Sequence, residues 1–481
     1  MTHLRPLAAA GLLLLLAGCA LPRPPAAVES EAAPRWYAPL PHGGRLVDLS
    51  QWWQQFREPV LVDLIAAAQA VSPDVATAGT RIAEARANRV AAQAAQLPAV
   101  DLNASATRGN SQAGQVVGGG PVSTVLQSTV QASWEIDLFG ARQSQADAAG
   151  ARLRGAEAGW HDARVAIAAE TATTYFDLRI CERQLEVTRN DAQSRAETAR
   201  LTGLSAEAGF TAPAVAAQAR ASAAEGAVRA LQQNAQCELL VKGLVALTGV
   251  GEPELRRRLA EGWTEPAGIA DDAIPPLPAA LLAQRPDVYA AERNVEAASA
   301  DVGAFLADQF PRLTLTGQVG SGTIRAGGQT LHLQTWAIGP LALSMPLFDA
   351  GRRAAATDAA RVRYDEAVVQ YRARVRQAVR EVEEALVNLE SARARAEDAR
   401  TAVEGYRISL AANDARYRAG LGTLIELEDQ RRTLLVAELT LVGVQRDRVA
   451  AWIALYRALG GGWQRPENSA RTESQNEEVA Q

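Results

Sequence analysis

The chain has 481 residues, is 48% hydrophobic but only 5% aromatic, and carries a formal net charge of −5. Lys242 is the sole lysine and no basic cluster occurs, which argues against a nucleic-acid partner. Alanine-rich, Arg- and Glu-rich stretches with few aromatics favour long, closely packed helices over a globular core.

Residues 1–18 read as a signal peptide: a positive start (His3, Arg5), then an apolar run from Leu7 to Ala17 too short to span a bilayer as a helix. Leu16-Ala17-Gly18-Cys19 resembles a bacterial lipobox, so cleavage before Cys19 and diacylglycerol on its thiol are expected. The plainer alternative is an ordinary signal peptide with a chance cysteine. Ala20 follows, with no Asp to retain the protein at the inner membrane. Residues 19–58 read as a lipidated tether rich in Pro and Ala, whose later aromatics (Trp36, Tyr37, Trp52, Trp53, Phe56) pack on neighbouring helices. No later run of about 18 apolar residues occurs, so no transmembrane helix is expected.

A short helix is expected over Pro59–Val71. Ser72 then offers an N-cap with Pro73 at the first helical position, and the new helix runs to about Gln96, before Pro98. From residue 99 the pattern changes period. Val100, Leu102, Ala104 and Ala106 alternate with Asp101, Asn103, Ser105 and Thr107 over about 99–108. After a Gly-rich loop (109–121), Leu126, Val130, Trp134 and Ile136 alternate with polar residues over about 123–137. One apolar and one polar face over about 10 residues suits a transmembrane β-strand, with lipid on one side and water on the other. A soluble amphipathic hairpin has the same pattern.

From Gly140 to about Ala206 no proline interrupts a helical period. Ile167, Thr171, Thr174, Leu178, Cys181, Leu185, Thr188 and Ala192 fall at alternating spacings of four and three, a coiled-coil seam. Such a helix is about 100 Å long. A tip at Gly209 and Phe210 turns the chain into a shorter return helix, Ala214 to Leu247. Cys181 and Cys237 each lie 28 residues from Gly209 (209 − 181 and 237 − 209), so antiparallel helices bring them into register. The spacing suits a disulfide in an oxidising periplasm; two buried free thiols fit the pattern as well.

The chain then repeats itself. Ser72-Pro73-Asp74-Val75 matches Arg285-Pro286-Asp287-Val288, and Leu97-Pro98 matches Phe310-Pro311, both 213 positions on (286 − 73 and 311 − 98). Ala208-Gly209-Phe210 matches Ala419-Gly420-Leu421. The two units are assigned to 59–249 and 278–460, with strands of the second at about 312–320 and 330–346 around a loop from Gly320 to Gly328. Its long helix runs from Gly351 to about Tyr417 and its return helix from about Thr423 to Leu459. Residues 250–277 are a Pro- and Gly-rich linker placed outside the helical rods, and 461–481 a polar, disordered tail. Four strands cannot close a channel-sized barrel and unpaired edges are not tolerated in lipid, so oligomerisation follows.

Cys19, Trp52-Trp53, Ser72-Pro73-Asp74, Leu97-Pro98, Trp134 to Gly140, Ala246-Leu247-Thr248-Gly249, Arg285-Pro286-Asp287, Gly339-Pro340, Pro346-Leu347-Phe348-Asp349 and Arg416 to Gly420 occur in one order along nearly the whole mature chain. In this the chain resembles the TolC-like outer-membrane factors, the lipoprotein branch serving resistance–nodulation–division pumps. The resemblance implies an α+β membrane protein built on an internal duplication. It would be a homotrimer whose twelve strands, four per chain, form a transmembrane β-barrel in the outer membrane. A 12-helix α-barrel would continue the tube across the periplasm. A periplasmic adaptor and the inner-membrane pump would dock at tips near Gly209, Phe210, Gly420 and Leu421, and small molecules (drugs, solvents or metals) would leave passively through the tube. The resemblance also maps a periplasmic gate onto Ile425 and Asp429, with Tyr417 and Arg418 holding that helix pair shut through hydrogen bonds to a neighbouring helix. The alternative for Asp429, beside Glu426 and Glu428, is an ordinary solvated helix face. Gly422-Thr423 stands where relatives vary.

No catalysis is expected. His3, His42, His161 and His332 are scattered, without a second ligand at metal-binding spacing, and Gly118-Gly119-Gly120 lacks the following helix a phosphate loop needs. Neither a cofactor nor a nucleic-acid partner is expected, only the lipid on Cys19. A channel for type I protein secretion and a coiled-coil periplasmic lipoprotein scaffold that never inserts are the competing readings.

Overall fold

The computed structural model describes residues 22–27, 53–54, 56, 58–110, 122–260, 284–463 and 465. The expected signal peptide, Cys19, most of the tether, residues 111–121, the linker from 261 and nearly all of the tail lie outside them. Among the described residues no single helix is long and apolar enough to cross a membrane. The chain divides into two units. One holds Thr80–Glu157 and Ala290–Arg372 with residues 22–27; the other holds the described residues from Trp53 to Gly79, Ala158–Tyr289 and the chain from Ala373.

The first unit contains a four-stranded antiparallel sheet: β1 (Ala99–Asn110), β2 (Val122–Ile136), β3 (Arg312–Ala326) and β4 (Gln329–Ser344), neighbours in that order. The register aligns Leu102 with Val130, Val130 with Val319, and Val319 with Trp336. Because alternate residues point to opposite faces, these rows gather one apolar face: Val100 and Leu102, Trp134 and Ile136, Leu313 and Leu315, Ile338, Leu341 and Leu343. Asn103, Gln131, Glu135 and Gln318 share the other. Leu315 opposes Leu341 but Gly317 opposes Ile338, so β4 carries one extra residue at Gly339-Pro340. The bulge falls where Pro340 has no N–H to give the ladder.

The expected loop from Gly320 to Gly328 is instead mostly strand. Thr323, Ile324 and Arg325 pair with His332, Leu331 and Thr330, and only Gly327 and Gly328 make the turn, at φ of 57° and 82°. Two left-handed residues suit the right-handed twist of a tight hairpin, so the Gly-Gly pair alone marked the turn and the glycines at 320 and 322 were strand residues. Gly320 is needed there: a Cβ would sit 2.8 Å from the Ser128 carbonyl oxygen.

Where strands meet helices, Trp134 Nε1 donates to the Gln96 carbonyl (2.9 Å) and Phe139 stacks on Phe310 (5.0 Å). Helix α1 is Pro59–Val71, α2 Pro73–Ala94, α3 Ala141–Glu207, α4 Pro213–Thr248, α5 Glu252–Ala260, α6 Pro286–Ala307, α7 Arg352–Arg418 and α8 Leu424–Ala458. The Asp137 carboxylate accepts from the Gln143 amide in the first turn of α3, and Asp349 from the Gly351 and Arg353 amides at the start of α7. Residues 22–27 lie against this unit: Arg23 pairs with Asp147 of α3, Ser299 of α6 donates to the Pro24 carbonyl, and Tyr364 of α7 to that of Pro25.

In the second unit α1 buries Leu61, Leu64, Ile65 and Ala68. Trp53 meets Tyr456 at 4.5 Å and Phe56 meets Phe176 at 5.0 Å, so these two tether aromatics pack on helices. The buried Glu58 carboxylate accepts from the Tyr175 hydroxyl (2.8 Å). Cys181 of α3 and Cys237 of α4 are bonded, with Cα atoms 5.5 Å apart. The linker requires a correction. Residues 252–260 are helix α5, with acids at its start and arginines at its end; its Leu255 and Leu259 are buried, the Arg256–Glu238 pair ties it to α4, and Arg179 of α3 donates to the Leu259 carbonyl. The Arg285-Pro286-Asp287 motif has a structural role. Arg285 forks onto Asp287 (2.8 and 2.9 Å), reaches Glu381 (2.7 Å), and donates to the Ala458 carbonyl at the end of α8. Burial pushes the Asp287 carboxyl up, but the bonds to Arg285 outweigh it and hold the group below the usual range.

Candidate functional site: the helix tips

Two helical hairpins, α3–α4 and α7–α8, end the second unit, and both turn the same way. Gly209 and Gly420 adopt left-handed φ of 79° and 71°. The Phe210 amide donates to the Ser205 carbonyl and the Leu421 amide to that of Arg416, each at 2.9 Å, while each glycine amide donates three residues back at 3.0 Å. These are six-to-one helix closures, for which glycine carries no Cβ penalty. The closure leaves the next side chain outside: Phe210 is 87% exposed and Leu421 74%. Large apolar groups presented at a turn mark a contact surface.

The hairpins differ in how they restart. Helix α4 begins with Pro213 and no side-chain cap, whereas α8 has a full capping box between Thr423 and Glu426. Gly422 leaves room for that turn, since a Cβ there would come within 3.3 Å of the Tyr417 nitrogen.

The four gate residues divide. The Tyr417 hydroxyl lies 3.1 Å from the Thr202 hydroxyl of α3, a bond between the two hairpins. Arg418 pairs instead with Asp414 of its own helix (2.8 Å). Ile425 is 60% exposed, and Asp429, one turn on and on the same exposed face, holds Arg432 at 2.8 Å.

Beneath the tips lies a cluster that the sequence reading did not single out. The spacing of the α3 seam continues past Ala192 to Arg195, which is 6% exposed. Its guanidinium meets Asp191 (2.9 Å), the Ser222 hydroxyl of α4 (2.6 Å) and Glu428 of α8. Glu428 also accepts from Ser222 (2.6 Å) and from the buried Arg431 (2.9 Å), and Arg229 approaches Asp191 at 3.5 Å. Glu428, which the alternative reading of Asp429 placed on a solvated face beside it, is therefore turned inward while Asp429 is turned out. Buried charges persist when paired and hydrogen-bonded in this way. Gly226 makes room for the arginine: a Cβ there would lie 3.1 Å from Arg195 Cδ and 3.2 Å from Ala192 Cα. Gly226→Ala is expected to destabilise the hairpin by about 1–3 kcal/mol, seen as a lower unfolding midpoint.

A family model described as outer membrane efflux protein matches residues 64–250 and 277–461. Among curated relatives, the pyoverdine export outer membrane protein OpmQ of Pseudomonas putida is 30% identical over 96% of this chain and 99% of its own length. The toluene efflux pump outer membrane protein TtgI of Pseudomonas putida is 28% identical over 95% and 98%. Among solved structures, the outer-membrane channel OprN superposes with a TM-score of 0.81 at 28% identity, covering 91% of this chain and 99% of that one.

Proposed function

The chain belongs to the outer membrane efflux protein family, and from that premise we propose that three copies assemble into one conduit, lipid-anchored at Cys19, through which small molecules leave the cell. The observation that carries this reading is the sheet. From the Leu102–Val130–Val319–Trp336 row to the helices it has one apolar and one polar face, and it has open edges at β1 and β4, which no single chain closes. Joining β4 of one copy to β1 of the next gives a twelve-stranded transmembrane barrel. The long helices continue it as a twelve-column periplasmic tube.

The tips carry the contacts to the inner-membrane side of the system. Phe210 and Leu421, held out by their glycine turns, suit a periplasmic adaptor that joins the channel to a resistance–nodulation–division pump. Transport through the tube is passive, energy comes from the partner pump, and no catalytic group is assigned. The relatives' names point to organic cargo, from pyoverdine to toluene. Around a three-fold axis, Asp429 forms a negative ring with Ile425 narrowing it, while Tyr417 ties its helix end to Thr202 of α3 and Arg418, paired within its own helix to Asp414, exchanges that partner for one on the next copy. Reconstituted in a planar bilayer, the wild type is expected to show small unitary steps and Asp429→Ala/Arg418→Ala steps several-fold larger. A double variant as closed as the wild type removes the gate from these residues, and a wild type that forms no channels overturns the conduit.

A further inference from the structure

Both strand hairpins lack carboxylates over long stretches: none occurs in residues 102–134 or 309–348. The first stretch has one charged residue, Arg108. The second has Arg312, which pairs with Asp308 (2.7 Å), and Arg325. Arg108 opposes Thr124, Thr124 opposes Arg325, and Arg325 opposes Thr330, so the two arginines occupy one row, two strands apart, about 10 Å between Cα atoms. That row is an even number of residues from the Leu102–Val130–Val319–Trp336 row and so shares its apolar face. Both arginines are exposed, and neither has a hydrogen-bond or ion-pair partner among the described residues.

Their height on the sheet is informative. On β2 this face carries Leu126, Val130, Ala132, Trp134 and Ile136, with Ser128 among them; Leu126 to Ile136 is ten residues (136 − 126), about 34 Å along the strand and about 26 Å vertically at a 40° tilt, while on β3 and β4 the apolar side chains stop at Val319 and Trp336. A height of about 26 Å is the thickness of an outer-membrane apolar band. The arginine row lies two residues beyond Leu126 (126 − 124), with only Val122 of β2 past it on this face, at the hairpin end, opposite to where the strands meet helices α2, α3, α6 and α7. Arginine on a lipid face is costly at mid-membrane and tolerated at the interface. A further copy of the chain would add two more cations and no carboxylate at this level, so no assembly of copies supplies the counter-charge.

We infer that Arg108 and Arg325, with the Thr124 and Thr330 hydroxyls between and beside them, form a binding site for the phosphate groups of anionic lipid in the outward leaflet. The inference rests on the barrel reading above. Guanidinium forks match phosphate oxygens in geometry and charge, and a gap of about 10 Å is one that two extended arginine side chains close around one headgroup. The headgroup lies at this level by virtue of the bilayer itself, whereas a free anion has no apolar part to hold it there.

The test uses the full-length protein in detergent, with bound lipid counted by native mass spectrometry. The probes are lipid A with both phosphates, the same glycolipid with its phosphates removed, and inorganic phosphate as competitor. Wild type is expected to bind the phosphorylated lipid saturably and, as salt screens the contact, more weakly at high ionic strength. Arg108→Gln/Arg325→Gln is expected to bind it about tenfold or more weakly, with unchanged heat-dependent migration on gels as the sign of an intact barrel. Equal binding by the double variant overturns the site, as does equal binding of the dephosphorylated glycolipid. Full displacement by inorganic phosphate overturns the lipid as its ligand. A wild type whose migration does not change on heating fails differently: it removes the barrel reading, and the site with it.

Discussion

Arg195→Ala is expected to cost the tip region about 3 kcal/mol, because it removes the guanidinium shared by the largely buried carboxylates of Asp191 and Glu428, leaving Asp191 only Arg229 at 3.5 Å and Glu428 only Arg431 and Ser222. At 6%, 8% and 14% side-chain exposure these groups have little water to turn to. Nor is the surrounding seam able to compensate, since from Thr188 to Thr202 its buried positions are Thr188, Arg195, Thr198 and Thr202 rather than leucines. The loss should be local. Amide exchange over the ends of α3 and α8 should speed up by two orders of magnitude or more, while the sheet should keep its wild-type protection. Glu428→Ala leaves Arg195 its Asp191 partner but takes the carboxylate from the buried Arg431, so its cost should be similar, and the double variant should cost less than the sum of the two singles, by about 0.5–3 kcal/mol of coupling. Unchanged exchange at the α3 end in Arg195→Ala would show that the cluster does not hold the hairpins together. The consequence for function is angular. Glu428 fixes which side of α8 faces α3 and α4, and so sets where its neighbour Asp429 and Ile425 point.

The element types were legible because their signals are local. Alternation over 99–107 and 126–136, an unbroken 3.6-residue period after Gly140, and Pro or Gly at the ends are all short-range features, and the helices and strands fall within a few residues of where they point. The duplication placed the second copy without separate argument. What stayed hidden depends on partners far away in the chain. Arg195 sits at the next seam position after Ala192 and could have been noticed, yet its counter-charge is 233 residues on, in the other repeat. Glu428 looked solvated because its neighbours Glu426 and Asp429 are; only the phase of α8 against α3 separates them. Helix α5 was missed for the opposite reason: prolines and glycines on either side made Leu255 and Leu259 read as linker. Gly320 and Gly322 suggested a loop, whereas they mark where β3 runs close to the β2 backbone.

Removing the Cys181–Cys237 bond is expected to have the other large effect. The bond closes a loop of 56 residues, for which the chain-entropy relation gives about 4 kcal/mol. The hairpin has few other means of keeping its register. Helix α4 is rich in alanine, its buried positions toward the tip are Ala216, Ala219 and Gly226, and the α3 seam beside them is polar. Gln233 of α4, which donates to the Cys181 sulfur (3.2 Å) and to Gln184 (3.0 Å), is a weaker second tie at the same level. Reductant should therefore lower the unfolding midpoint of the wild type and leave Cys181→Ala/Cys237→Ala, already low, unmoved. The side chains themselves are small, so truncating them adds only about 1 kcal/mol to the loss of the cross-link. Exchange should quicken mainly along α4 and the facing part of α3, on the tip side of the bond, where nothing else spans the hairpin covalently. Two titratable thiols in the unreduced mature protein, together with a midpoint indifferent to reductant, would show that the hairpin is held by its side-chain contacts alone.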